Sequence, residues 1–487
     1  MKKYNFFFSE GSKVNQLICV VLINIPVFAY GTTIGWMSPM SLLLQSKDSP
    51  RQPPLTDIEI SWIGSVPYLV CMMTDFLIGY IGDKIGRKVT MIFVSAMAAG
   101  CWIVKLSSTE FWAFVLARCM VGFPMAGAYV TCPLYTKEIS EDSIRGSLGS
   151  LVILFHTTGN LFIYIIGDVF SYTTVLWICL ALPTIHIVLF MMMPESPSYL
   201  VKRGKIQEAE RVLAWLRCRE EGDIIIKQEL ERIRQELKKD EESSKFVLKA
   251  ILTDKILCRT FRIVMVICLG REICGAVPVL NFAGNIFAMA SEGTGLVLTP
   301  NQQAMVLGAV QVAGSSFASS IVERSGRKPL LFITSLVSGL SMCTLASWFV
   351  ARNFGLLAPA WLPVVTLCVC IFCDASGLQP ISVILNGEMF SFKYRGTVMA
   401  ATMASASIVA FLQMLFFKPL ANSMGVHVAF YFFGIICLIA AVYVILVLPE
   451  TRMRSVQEIQ NKLKTKKEKE EEEGRVLEEK GVTKEIC

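Results

Sequence analysis

Charge is what this sequence has least of. Asp, Glu, Lys and Arg make up 17% of its 487 residues and hydrophobic residues 54%. Apolar runs of membrane-spanning length recur along nearly the whole chain, which excludes a set of soluble domains. No nucleophile–base constellation and no nucleotide-binding loop of the Walker type is present, which argues against an enzyme or an ATP-driven pump. Basic faces with interleaved aromatics are absent too, so the net charge of +7 points to basic loops beside an anionic leaflet and to no nucleic acid. No Asn-x-Ser/Thr sequon occurs, and no glycosylated loop is inferred. Of the sixteen cysteines, most, such as Cys71, Cys101, Cys179 and Cys437, fall inside apolar runs, where no extracellular disulfide framework forms. Cys368, Cys370 and Cys373 imitate a metal spacing within one such run and read as small packing residues.

What is present is a series of long apolar segments. Val14 to Ser46 holds no charged residue, and at ~1.5 Å per helical residue that run exceeds the ~30 Å hydrocarbon core. It is too long for a signal-peptide core and reads as a retained first helix. Eleven further spans are predicted near 59–82, 89–106, 111–134, 147–168, 173–193, 258–290, 303–322, 329–350, 360–387, 396–417 and 425–448. The expected fold is an all-α membrane protein of twelve transmembrane helices in two pseudo-symmetric six-helix bundles. The domains run as a short N-terminus (1–14), a first half (15–193), a cytoplasmic helical linker (194–257), a second half (258–448) and a charged tail (449–487). In the linker, Ala209, Val212, Leu213 and Leu216 fall at helical spacing. The tail, with "KKEKEEEEGRVLEEK", has too little apolar surface to fold alone.

Orientation follows from Lys and Arg, which are enriched in cytoplasmic loops. With the N-terminus inside, the turns carrying Lys84, Arg87, Lys88, Lys137, Arg145, Arg324, Arg327, Lys328, Lys393 and Arg395 all lie inside. The opposite turns Ser107 to Glu110, Asp168 to Thr173 and Ser291 to Gln302 contain no basic residue. Lys47, Arg51, Arg352 and Lys418 are scattered exceptions.

The turn itself is repeated. "GDKIGRK" from Gly82 returns as "VERSGRK" from Val322, with Glu323 standing for Asp83 and Arg327 for Arg87 at the same offset. "EISEDSIRG" sets Glu138 seven residues before Arg145, and "EMFSFKYRG" sets Glu388 seven before Arg395. "PESPSYL" follows the sixth span and "PETR" the twelfth. Three markers in one order in both halves describe a duplicated six-helix unit. Carboxylates and guanidiniums at these helix ends are expected to pair across the seam between halves and to part when that face opens. Exposed pairs are worth only ~0–1 kcal/mol each, so several of them make a reversible gate.

These motifs, with "PESPSYLVKRGK", "GEMFSFKYRG" and "MGVHVAFYFFG…VLPETRMRSVQEIQ", resemble the sugar-porter branch of the major facilitator superfamily over about residues 20–462. The last of them and "YGTTIGWMSP…ISWIGSVPYL" are most similar to insect facilitated trehalose transporters. The resemblance implies two parallel halves about an axis along the membrane normal, a central site at mid-depth and alternating access. It implies no cofactor and a plasma-membrane location. It also implies gate roles for Asp83, Arg87, Glu138, Arg145, Glu323, Arg327, Glu388 and Arg395.

The same resemblance marks departures in the cavity. Ile153 stands where related glucose transporters carry a Gln in the fifth span. In the seventh, Arg271 and Glu272 replace two Gln residues and Val277 an Asn. Gln311 takes the place of an Asn in the eighth; in the tenth, Gln379 opens the motif and Val383 replaces its Trp. Ala406 and Ser407 replace an Asn-Trp pair in the eleventh. Asp75, Arg271, Glu272 and Asp374 are unexpected intramembrane charges, each costing ~2.5–3.5 kcal/mol if unpaired at the membrane centre. An Arg271–Asp374 pair at mid-depth is one expectation; Arg271 free to meet a solute, and Asp75 and Asp374 turned to cavity water, are the others. Arg271 and Glu272, about 100° apart on a helix, are expected to pair poorly. Arg118 matches an Arg the family carries, and His156 and His186 read as packing residues.

The reading is a secondary carrier of a small polar solute, a sugar such as trehalose or a hexose. A proton-coupled or charged-solute carrier of the same fold and a non-transporting nutrient receptor are the alternatives.

Overall fold

A computed structural model describes residues 11–243, 251, 253–292, 298–356 and 358–463; the side chains of 238–243, 319, 323, 392 and 393 lie outside the description. The twelve expected spans are helices: α1 (Val14–Gln45), α2 (Asp57–Ile85), α3 (Arg87–Ser107), α4 (Phe111–Ile139), α5 (Asp142–Val169), α6 (Tyr172–Phe190), α7 (Lys255–Asn281), α8 (Pro300–Ser325), α9 (Arg327–Asn353), α10 (Leu362–Glu388), α11 (Phe392–Met424) and α12 (Val426–Val447). Eleven are long and apolar enough to cross a membrane by composition alone. The other, α8, has 26 residues and is diluted by Asn301, Gln302, Gln303 and Gln311. A helix of that length still spans the ~30 Å core at ~1.5 Å per residue.

Duplication shows in local geometry as well as in sequence. The second helix of each half opens on a capping box: Thr56 with Glu59 in α2, Thr299 with Gln302 in α8. Each box satisfies two otherwise orphaned N–H groups. The fourth helix of each half carries a π-helical turn, Gly127–Thr131 in α4 and Asp374–Leu378 in α10; such turns concentrate at functional sites. Both repeated glycines, Gly86 (φ 103°) and Gly326 (φ 83°), hold the left-handed backbone that ends one helix and starts the next.

Within the first half, α1 and α5 approach backbone to backbone. A Cβ on Gly31 would lie 2.3 Å from the His156 carbonyl oxygen, and one on Gly159 2.3 Å from that of Phe28. Small residues permit this contact in a membrane, where helices associate by close packing. Gly159→Ala is expected to force the pair apart and to cost ~1–3 kcal/mol, read as a lower melting temperature of the purified protein.

The linker is helical, as expected, over Pro197–Lys202, Ile206–Leu216 and Ile224–Ser243. Ala209, Leu213 and Leu216 are its buried stripe. It docks under the first half: Asn15 Nδ2 donates to the Trp215 carbonyl at 2.7 Å and Arg217 Nη1 to that of Ile139 at 2.8 Å.

The two halves pack through α2 against α11 and α5 against α8. Hydrogen bonds joining them run from mid-depth to the end opposite the linker. Asn160 Nδ2 meets Gln311 at 3.4 Å, Tyr164 donates to the Leu280 carbonyl at 2.7 Å, and Ser38 accepts from the Gly284 N–H at 3.0 Å. Lys418 Nζ reaches Asp57 at 3.1 Å and also Gln45, while Asn422 donates to Asp57 at 2.9 Å. Lys418 is therefore no stray loop charge but a tie between α11 and α2.

Candidate functional site

Two arrangements of charge stand out, one at the linker end of the helices and one at mid-depth. At the linker end, Arg87 gives Nε and Nη2 to Glu138 at 3.2 and 3.1 Å and Nη1 to Asp83 at 2.9 Å. In the second half Arg327 gives Nε and Nη2 to Glu388 at 3.0 and 2.7 Å. These pairs form inside each half, not across the seam as expected. The glycine turn is the reason, because it places the arginine on the first turn of a helix, facing the end of the fourth helix of its own bundle.

Sequence reasoning saw Pro-Glu after the sixth and twelfth spans but gave it no role. Glu195 accepts the backbone N–H groups of Arg87 at 2.9 Å and Lys88 at 3.1 Å, and Glu450 those of Arg327 at 3.0 Å and Lys328 at 3.1 Å. Each carboxylate caps a helix start, where the macrodipole favours negative charge. Ser196 donates to Glu138, and Thr451 to Glu388, completing matched networks. Arg145 pairs with Asp142 and donates to the Ser140 carbonyl, while Arg395 extends toward the Phe390 carbonyl at 3.5 Å. The Glu323 side chain lies outside the described residues.

At mid-depth, the regular part of α7 stops at Glu272, and Gly275 turns left-handed (φ 86°) before the helix resumes at Ala276. Arg271 meets Asp374, at the start of the π-helical turn in α10, through Nε at 3.2 Å and Nη2 at 3.3 Å. The expected pair is present, in the two-pronged geometry that suits a guanidinium. Arg271 Nη1 also donates to Glu272, which corrects the expectation that these neighbours pair poorly. Both residues still belong to the helix that ends at Glu272, and the length of the two side chains lets them meet despite the 100° offset.

Facing this group across the seam are the rings of the first half. His156 stacks on Tyr30 at 4.9 Å, and Tyr129 stands edge-on to both. Tyr68 receives the Asn281 amide at 3.1 Å, and Gln413 donates to the Glu272 carbonyl at 2.7 Å. Asn160, Asn281, Gln413, Tyr68 and Tyr129 were all missed from sequence. Their signal was an amide or phenol inside an apolar span, with no way to tell which face it takes. Of the expected cavity residues, Gln311 is buried against Asn160, and Ser407 is buried. Ile153, Val277 and Gln379 are half-buried, and Val383 is exposed. Asp75 takes only the Cys71 thiol, at 3.5 Å.

Three further polar side chains sit inside bundles. Arg118, fully buried, donates to the carbonyls of Ile63 and Thr33 at 2.9 and 2.6 Å. Lys105, also missed, lies 3.8 and 4.2 Å from the ring centroids of Trp36 and Trp102, a cation–π arrangement that replaces a counter-ion. His186 is bonded to Ser95 at 2.7 Å, as a packing residue should be. A crevice of about 20 Å³ behind Arg271, bounded by Gly270, Cys274 and Cys437, has room for one water.

Twelve helices in two repeated bundles, with polar groups converging on the seam at mid-depth, define a secondary transporter of the major facilitator fold. The "Sugar (and other) transporter" family model matches residues 6–463, and the chain belongs to that family. It is 26% identical to the facilitated trehalose transporter Tret1 of Polypedilum vanderplanki over 454 residues, covering 92% of this chain and 88% of the relative. It is 27% identical to the human solute carrier family 2, facilitated glucose transporter member 6 over 465 residues, covering 90% and 89%. Its fold is similar to that of the Escherichia coli xylose transporter XylE in an inward-open conformation, with TM-score 0.74, 17% identity and coverage of 92% and 99%.

Proposed function

We propose that this transporter moves a sugar, a hexose or trehalose, by alternating access at the plasma membrane, with both termini and the linker cytoplasmic. The observation that carries the reading is the composition of the seam. One wall offers the half-buried rings of Tyr129 and His156, packed on the buried Tyr30; the other offers amides and charged groups on α7, α10 and α11. A sugar presents the complementary surfaces, an apolar ring face and a rim of hydroxyls that both donate and accept. Several relatives are named as trehalose or glucose transporters, which supports the same reading. Uptake of radiolabelled glucose and trehalose into proteoliposomes tests it. Uptake above protein-free vesicles is the expected result; sugar binding without uptake indicates a receptor.

Orientation is testable at the linker. A cysteine introduced at Ile224, which is 72% exposed, is expected to react with an impermeant maleimide only after the cell is opened.

The gate residues divide by what they touch. Asp83, Arg87, Glu138, Arg327 and Glu388 hold each bundle together, and Glu323, the repeat of Asp83, belongs with them; Arg145 and Arg395, bonded within their own helix starts, are the candidates to reach across when the linker side closes. Arg145→Ala is expected to shift conformers toward linker-side opening by ~1 kcal/mol or less, measured by spin-label distances across that end. Unchanged distances reject the role.

A further inference from the structure

We propose that the solute carries a positive charge, an ammonium group on a hydroxylated frame, and that Glu272 receives it; this rests on the reading of the chain as a sugar carrier and narrows it. At the break in α7 one guanidinium faces two carboxylates, leaving one net negative charge. Arg271 spends three of its five N–H donors, Nε and Nη2 on Asp374 and Nη1 on Glu272, so its charge is already matched before an anionic solute arrives. The Asp374 side chain is 3% exposed and that of Glu272 12%. Glu272 is thus the carboxylate that still meets the seam.

The neighbouring amides point the same way. Asn281 Nδ2 donates to the Val277 carbonyl at 2.9 Å, and Gln413 Nε2 to the Glu272 carbonyl at 2.7 Å. A backbone carbonyl only accepts, so it fixes which end of each amide is NH2. Asn281 Oδ1 and Gln413 Oε1 are left buried without a partner. The side chains around Glu272 therefore offer acceptors and negative charge. Hydroxyls satisfy acceptors, but only an ammonium both donates every hydrogen it holds and neutralises the carboxylate. The buried cations do not intervene: Lys105 is held between Trp36 and Trp102, and Arg118 is bonded to carbonyls inside the first half.

The test compares glucose, glucosamine, N-acetylglucosamine, gluconate and ethanolamine by thermal-shift binding to purified wild-type protein and to Glu272→Gln. The variant leaves Arg271 and Asp374 as a balanced pair. Glucosamine is expected to bind at least roughly tenfold more tightly than glucose or N-acetylglucosamine, a difference of about 1.4 kcal/mol, and gluconate not at all. The preference is expected to fall below about twofold in Glu272→Gln, where the remaining pair is neutral. Glucose binding as tightly as glucosamine, or a preference that survives in the variant, overturns the proposal while leaving the sugar reading intact. Binding of glucose only with concomitant proton uptake also overturns it, assigning the charge to a proton on Glu272. Binding of ethanolamine with no sugar bound keeps the charge assignment and sinks the sugar reading. No binding by any probe overturns both.

Discussion

Arg271→Gln is expected to lower the stability of the protein by ~3–5 kcal/mol, the range found when one partner of a buried pair is removed. The guanidinium is shared by Asp374 and Glu272, with the Asp374 side chain only 3% exposed. Removing it leaves two carboxylates facing each other near the membrane centre, so repulsion adds to the loss of three charge-assisted hydrogen bonds. The order within a small mutant set is the sharper result. Asp374→Asn leaves Arg271 neutralised by Glu272 and is expected to be milder. Arg271→Gln combined with Asp374→Asn, which leaves one partly exposed carboxylate, is expected to recover part of the loss. Melting temperatures of the purified variants give the order. An Arg271→Gln protein as stable as wild type would mean that the charged group is hydrated from the seam and contributes nothing to folding.

That pair was legible from sequence because an arginine and an aspartate inside apolar runs have few other options. The twelve helices and their duplication were legible for a similar reason: length, apolarity and repeated turns are local properties. The failures share a cause as well. Expecting Arg271 and Glu272 to pair poorly weighed only the direction of their Cα–Cβ bonds, and two long side chains at the last turn of a helix still meet. Glu195 and Glu450 cap helices more than 100 residues away in sequence, a partnership no local pattern announces. Polar residues such as Asn281 and Gln413 are visible as anomalies, yet only the three-dimensional arrangement turns them toward the seam.

Lys418→Met is expected to release the end of the molecule opposite the linker. Lys418 bridges the halves by bonding Asp57 at 3.1 Å and also Gln45, and Asn422 holds the same carboxylate at 2.9 Å. The lysine is 7% exposed but the Asp57 side chain is 44% exposed, so the bonds are shielded at one end only and contribute toward the lower end of the about 1.5–3 kcal/mol found for hydrogen bonds to charged groups. Because these bonds exist only while α2 and α11 are together at this end, their loss acts on the conformational equilibrium and not on either bundle alone. The expected shift is about tenfold toward separation, at roughly 1.4 kcal/mol per tenfold. Spin labels at the exposed Ile58 and Met424 report it as a longer distance population. Asp57→Asn keeps an acceptor for Lys418 and is expected to shift the equilibrium in the same direction by less. Asn422 still holds Asp57, and further ties, Ser41 and Gln45 with Asn285 and Ser38 with the Gly284 N–H, lie on α1 and the segment after α7, so they limit the opening to the α2–α11 edge. Equal distance distributions in wild type and both variants would show that those ties alone hold the end shut and that Lys418 is a passenger.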